Sequence, residues 1–304
     1  DGKSWTSTLP EPVADIGLLP PDTPRGDVGA ILPEELRRCY TVDITCKRKR
    51  LALDGASVIV SLGNGRITAA GRNSPVAELE FGLIIGSPTI MLQQIRSLMG
   101  RYRLAVSASS HATRGMALLD DKPPAPLKAI KPVLSSADTI EQAVAKIIAI
   151  TTTQTIGNLA AAEDGRDPEG VHQLRVSLRR LRSAFALFRK QLSASALALD
   201  STARLALKSL GAARDLDVFL LETIPPVLDG DDGGPGLSRL AEIAEAKRRT
   251  AYTDVRRMVQ DRDFNRFLID LQLAAAEGGL VVEGGGEPLT PTAAALLAKR
   301  HKRR

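Results

Sequence analysis

The feature that most constrains this chain is the run Val171–Lys190, VHQLRVSLRRLRSAFALFRK. Its apolar residues Val171, Leu174, Leu178, Leu181, Phe185 and Phe188 recur at a 3-4-3-4-3 spacing. That rhythm makes one stripe along an α-helix, the seam a helix buries in a bundle. Displaced by one residue is a second stripe, His172, Arg175, Arg179 and Arg182. It lies about 100° around the helix from the apolar seam. Arg180, Arg189 and Lys190 widen the basic side, and no Asp or Glu occurs from Gly170 to Leu199. A solvated helix face usually mixes signs, because oppositely charged neighbours stabilise it and like charges repel. Cations crowded on one side without an intrachain neutraliser call for an external anion.

The start of this helix is also encoded. Asp167 suits the N-cap, Pro168 the first helical position, and Glu169 the positive end of the helix. His172 follows closely, within the first turn or so of the helix. An imidazole there is either a contact to the anion or a structural hydrogen-bonding residue.

Two motifs, DPEGVHQLRVSLRRLRSAFALFRK (Asp167–Lys190) and LGAARDLDVF (Leu210–Phe219), resemble the conserved-histidine α-helical domain, the CHAD family. The resemblance implies a helical domain that binds inorganic polyphosphate along a basic surface, with no cofactor required. Stripe geometry alone says only polyanion. The surface would comprise His172, Arg175, Arg179, Arg180, Arg182, Arg189 and Lys190, joined by Arg204, Lys208 and Arg214 of the next helical pattern.

The 304 residues leave room for about two domains. Net charge is +6, and its clustering matters more than its size. Aromatics make up only 3%, which argues against a surface that stacks single-stranded bases, and no nucleic-acid recognition motif is present. Nucleic-acid backbone binding therefore ranks behind polyphosphate. Cys39 and Cys46 lack metal-site or disulfide-framework spacing and read as reduced thiols. No apolar run of roughly 18 residues suggests a membrane span, and no signal peptide is visible. The expectation is a cytoplasmic protein, associated through polyphosphate with its granules. Asp1 at the start and the basic run Lys299–Arg304 at the end lead us to expect a piece of a longer polypeptide.

Residues 1–35 are Pro-rich and read as loop or disorder. From Tyr40, three runs alternate on period two, YTVDITCKRKRLAL, ASVIVSLGNGRITAAG and VAELEFGLII, which predicts antiparallel strands. Glu78 and Glu80 then face the same side of the sheet, and two such carboxylates suit Mg²⁺ or Mn²⁺. Otherwise they belong to a solvated outer face. Residues 89–100 read as a short amphipathic helix.

The region 36–119, through VAELEFGL and SSHATRGMAL (Ser109–Leu118), resembles the second half of a CYTH domain, the triphosphate tunnel fold. That resemblance implies metal ligands at Glu78 and Glu80 and tunnel cations among Arg48, Lys49, Arg50 and Arg114. It also implies a metal-dependent triphosphatase as the alternative function. The family's opening strand of alternating Glu and Lys is absent, His111 stands in place of a Lys, and Gly63 in place of an Asp. A half-tunnel is expected to bind a divalent cation weakly at Glu78 and Glu80 but not to turn over substrate.

Residues 120–134 form a Pro-rich, semi-rigid linker. Helical patterns follow over 135–304: 140–159 after capping residues Ser135 and Ser136, the His172 helix, 197–221, and 237–260. Gly211 in mid-helix suggests close approach by backbone or ligand. Arg214 is expected to pair with Asp215. Asp229–Gly236 reads as a connector, and Lys247, Arg248, Arg249, Arg256 and Arg257, interspersed with Glu242 and Glu245, as a solvated face. These patterns fit one four-helix unit. Pro291–Arg304 resembles the helix that opens a second, truncated repeat. The predicted class is α+β, an antiparallel β segment followed by an all-α bundle.

Overall fold

A computed structural model of the chain describes residues 37–228, 235–282 and 284–290. The expected loop at 1–35, most of the connector 229–236 and the helix start at 291–304 lie outside the described residues. The period-two runs form three antiparallel strands, β1 (Thr41–Leu53), β2 (Ala56–Ala69) and β3 (Arg72–Gly86), in the order β1-β2-β3. Ala70 and Gly71 turn β2 into β3 with φ of 49° and 76°, the positive values that match the twist of a two-residue hairpin. Gly65 is required within β2, because a Cβ there would lie 1.9 Å from the Asp43 carbonyl oxygen.

Register sets the chemistry of one sheet face. Cys46, Gly63 and Glu78 form one cross-strand row, and Arg48, Ser61 and Glu80 the next. Helix α1 (Pro88–Arg101), capped by Ser87, realises the helix expected at 89–100. Helix α2 (His111–Asp120), capped by Ser110, packs over the sheet face where Ile67 and Val76 are buried.

The rest is helical: α3 (Ile140–Gly157), α4 (Leu159–Asp164), α5 (Pro168–Leu187), α6 (Ala194–Ser209), α7 (Gly211–Val218), a π-turn at Phe219–Thr223, α8 (Pro225–Leu228), α9 (Pro235–Val259) and α10 (Arg262–Glu277). The architecture is α+β, as the patterning predicts. None of the described helices is long and apolar enough to cross a membrane. All six residues of the α5 stripe are at most 2% exposed and anchor the bundle core. Asp167 caps α5 by accepting the Glu169 N–H at 2.9 Å, with Pro168 at the first position.

Four details differ from expectation. Thr139, not Ser135 or Ser136, caps α3, in a reciprocal pair with Gln142. The pattern at 197–221 is not one helix; it breaks at buried Leu210 and ends in the π-turn. The helix at 168–190 stops at Leu187, leaving Arg189 and Lys190 beyond its cap. A further long helix, α10, joins the four that were expected and packs on α3.

α10 also receives the sheet unit. Leu92 and Met99 of α1 bury against its Ile269 and Leu273. Arg96 pairs with Asp270, Gln93 donates to Glu277 at 2.7 Å, and the Val106 N–H donates to buried Asn265 at 2.7 Å. The Pro-rich connector is stitched down as well. Asn158 bonds both the N–H and the carbonyl of Leu127, at 2.9 and 3.0 Å, and Gln154 donates to the Ile130 carbonyl at 2.7 Å. After α10 the chain returns to the start of α3. There Glu141 accepts from the N–H groups of Leu280 and Val281, and the Ile140 N–H donates to the Glu287 carbonyl at 3.0 Å.

Candidate functional site

The basic stripe of α5 faces α6. Arg175 Nη1 donates to the Leu207 carbonyl at 3.1 Å, and Arg182 Nε lies 2.8 Å from Asp200 Oδ1. The pairing of 175 with 207 and of 182 with 200 shows that the two helices run antiparallel. Arg179, between these anchors, is exposed, as are Arg204 and Lys208 of α6. Asp200, Arg204, Leu207 and Lys208 share one side of α6 by their helical spacing. The seam therefore gathers Arg175, Arg179, Arg182, Arg204 and Lys208 from two helices.

The ten expected surface residues divide by what holds them. Among the described residues, the side chains of His172, Arg179, Arg189, Lys190, Arg204 and Lys208 make no hydrogen bond or ion pair. His172 is half-buried on α5. Arg180 leaves the basic side; its Nη1 reaches the Ile130 carbonyl at 2.8 Å and Gln154 Oε1 at 3.2 Å, clamping the connector. Arg214 pairs with Glu222 at 3.2 Å rather than with Asp215, because the π-turn brings residue 222 back over α7. Gly211 leaves room beside Arg175, whose Nη1 would lie 3.8 Å from a Cβ at that position. That is an ordinary contact, so close approach of the protein's own backbone does not explain the glycine.

Two charged groups escaped the sequence reading. Asp200 neutralises Arg182, one position beyond the acid-free window that ends at Leu199. Asp217, fully buried within LGAARDLDVF, accepts from Arg248 Nε at 2.7 Å and from the Tyr252 hydroxyl at 2.8 Å. The Arg248 guanidinium also lies 4.5 Å from the Tyr252 ring centre. Burial, and then the bond to Asp217, push the Tyr252 hydroxyl above its ordinary range, so it stays a donor. Arg248 is thus tied into the α7–α9 contact instead of the solvated face expected for it. Its signal was the apolar-like spacing of Arg248, Tyr252 and Val255 along α9.

On the sheet, the adjacent rows place Arg48, Ser61, Glu78 and Glu80 around a hollow of about 270 Å³, with Cys46 and His111. His111 Nε2 lies 2.6 Å from Glu78 Oε1. Arg114 is turned to the Ser74 hydroxyl at 3.0 Å and the Pro75 carbonyl at 2.6 Å, and Arg50 Nε donates to Ser57 at 2.9 Å. Lys49 falls on the opposite face from Arg48 by strand alternation. Among the described residues, no group of three or more His, Cys, Asp or Glu side chains is placed to hold a metal ion. Glu78 and Glu80 would suit only an ion that completes its shell with water or phosphate oxygens.

A family model, the CHAD domain, matches residues 146–304. Among solved structures, the chain is similar to the CHAD domain from the plant Ricinus communis, with 29% identity and a TM-score of 0.46. The likeness covers 59% of this chain and 58% of that one.

Proposed function

The chain belongs to the CHAD family, and from that premise we propose that its helical bundle binds inorganic polyphosphate along the α5–α6 seam. The observation that carries the reading is the set Arg179, Arg204 and Lys208, exposed side by side on two antiparallel helices and without intrachain partners among the described residues. Polyphosphate presents about one charge per phosphate, and the planar donor fork of Arg suits its oxygens. From His172 to Arg182 the helix rises about 15 Å, enough for several phosphates. His172 and Arg175 extend the surface toward the α6–α7 break, and Arg189 and Lys190 extend it past the end of α5. Arg214 lies beyond the break, and Arg180 serves the connector. Binding of this kind needs no cofactor. Such binding would associate the protein with cytoplasmic polyphosphate and its granules.

The test is a competition between labelled long-chain polyphosphate and duplex DNA, single-stranded RNA or tripolyphosphate, repeated across salt concentrations. Polyphosphate should win, and log K should fall with log salt at about −0.7 per contact. Preference for DNA or RNA, or a response flat in salt, overturns the reading.

A second reading concerns the sheet. The convergence of Arg48, Glu78, Glu80 and His111 on one face supports half of a CYTH-like site that binds a triphosphate with Mg²⁺ or Mn²⁺. The bound ion would offset phosphate charge, Glu80 and the free oxygen of Glu78 would hold it, and Arg48 would meet phosphate. His111 would orient Glu78. Binding without turnover is the expected behaviour of this chain; tripolyphosphate hydrolysis abolished in Glu80→Gln would instead make it a triphosphatase.

A further inference from the structure

The α5–α6 seam carries a negative charge of its own. Asp200 opens the row of α6 that continues through Arg204 and Lys208, and its carboxylate holds Arg182 at 2.8 Å. Neither side chain is shut away: Arg182 is 36% exposed and Asp200 18%. In axial order along α5, the pair stands between two sets of cations that are unpaired among the described residues. Arg179, Arg204 and Lys208 lie on one side, and Arg189 and Lys190, past the helix end, on the other.

We propose that Asp200 is a specificity-determining residue, an intrachain competitor that a long polyphosphate displaces and a short one does not. The inference rests on the polyphosphate reading above. The carboxylate repels an incoming anion and occupies Arg182 Nε through a charge-assisted bond. A ligand gains Arg182 only by replacing that bond. A long chain engages the cations on both sides, so its phosphates stand at high effective concentration beside Arg182 and the exchange becomes favourable. Tripolyphosphate engages one set, leaves the Arg182–Asp200 pair closed, and feels its negative charge. Asp200 thereby widens the gap in affinity between long and short phosphates.

The experiment titrates tripolyphosphate and long-chain polyphosphate calorimetrically into the full chain as wild type, Asp200→Asn, Arg182→Ala and the double variant. Asn keeps the Oδ1 acceptor and the volume while removing the charge; Asp200→Ser serves if the Asn variant does not fold. Asp200→Asn should tighten tripolyphosphate about tenfold and long polyphosphate about threefold or less. Its salt slope for tripolyphosphate should steepen by about 0.7, the mark of one added phosphate contact. Both gains should shrink in the Arg182→Ala background. An unchanged long-to-short affinity ratio and salt slope in Asp200→Asn overturns the inference, as does a gain that persists in full without Arg182. If the wild type itself fails to bind long polyphosphate, the functional reading fails. If it binds and Arg179→Ala weakens it while Asp200→Asn is silent, only the role of Asp200 falls.

Discussion

The α5–α6 seam and the sheet face both gather charged side chains, but they differ in how much of that charge the protein already satisfies. On the sheet, Glu78 is joined to His111, Arg114 to Ser74 and Pro75, and Arg50 to Ser57. On the seam, Arg179, Arg204 and Lys208 face solvent with Asp200 as the local counter-charge to Arg182. Satisfied charges hold a shape; unsatisfied ones keep their interaction energy for a ligand. The seam accordingly presents the larger excess of unsatisfied positive charge, and the sheet face would need an added cation before an anion could dwell beside its two carboxylates.

The largest effects should separate scaffold from surface. Leu178→Ala removes a fully buried side chain from the α5 stripe and should cost about 2–5 kcal/mol in denaturant-unfolding experiments. Polyphosphate affinity, measured where the variant remains folded, should hold. Asp217→Ala leaves Arg248 and Tyr252 without their acceptor and should cost roughly 1–3 kcal/mol of stability. Equal stability to wild type would mean the α7–α9 network contributes nothing.

Next come the seam cations. Arg179→Ala and Arg204→Ala should each weaken polyphosphate by up to about tenfold, near 1.4 kcal/mol, because exposed contacts are partly screened. Melting temperature should not move, since neither side chain has a partner to lose among the described residues. His172→Ala sharpens the comparison: lower affinity at constant melting temperature marks a phosphate contact, and the reverse marks a structural role. Glu80→Gln should have the smallest effect. It should abolish weak Mn²⁺ binding followed by paramagnetic relaxation and leave polyphosphate affinity untouched. A fall in polyphosphate affinity would make the sheet part of the same surface.

Much of this was legible from periodicity. The α5 stripe, its cap and the three strands follow from residue spacing, because burial of one face is a local pattern with a fixed period. The partners of the cations were not legible, since they depend on which helix lies opposite. Asp200 sits just outside the acid-free window, and Glu222 reaches Arg214 only through a π-turn that no local pattern announces. Arg180 shows the same limit; its place on the helix wheel was known, but the Ile130 carbonyl that captures it belongs to the connector. α10 was available to the same reasoning. Phe264, Phe267, Leu268 and Leu271 recur at helical spacing behind an Asp261 cap.

The return of the chain from α10 to the head of α3 makes the bundle nearly circular. The Leu289 N–H donates to the Asp138 carbonyl at 2.9 Å and the Glu141 N–H to the Gly285 carbonyl at 3.1 Å, so the head of α3 and the segment that follows α10 lie side by side. Two segments that already lie side by side can be joined there and the chain opened elsewhere. Permuted in this way, the helices would be visited in another order around the same core, and α5 would still find α6. In such a permuted chain the order in which the ribosome delivers these helices would be separated from the surface they build.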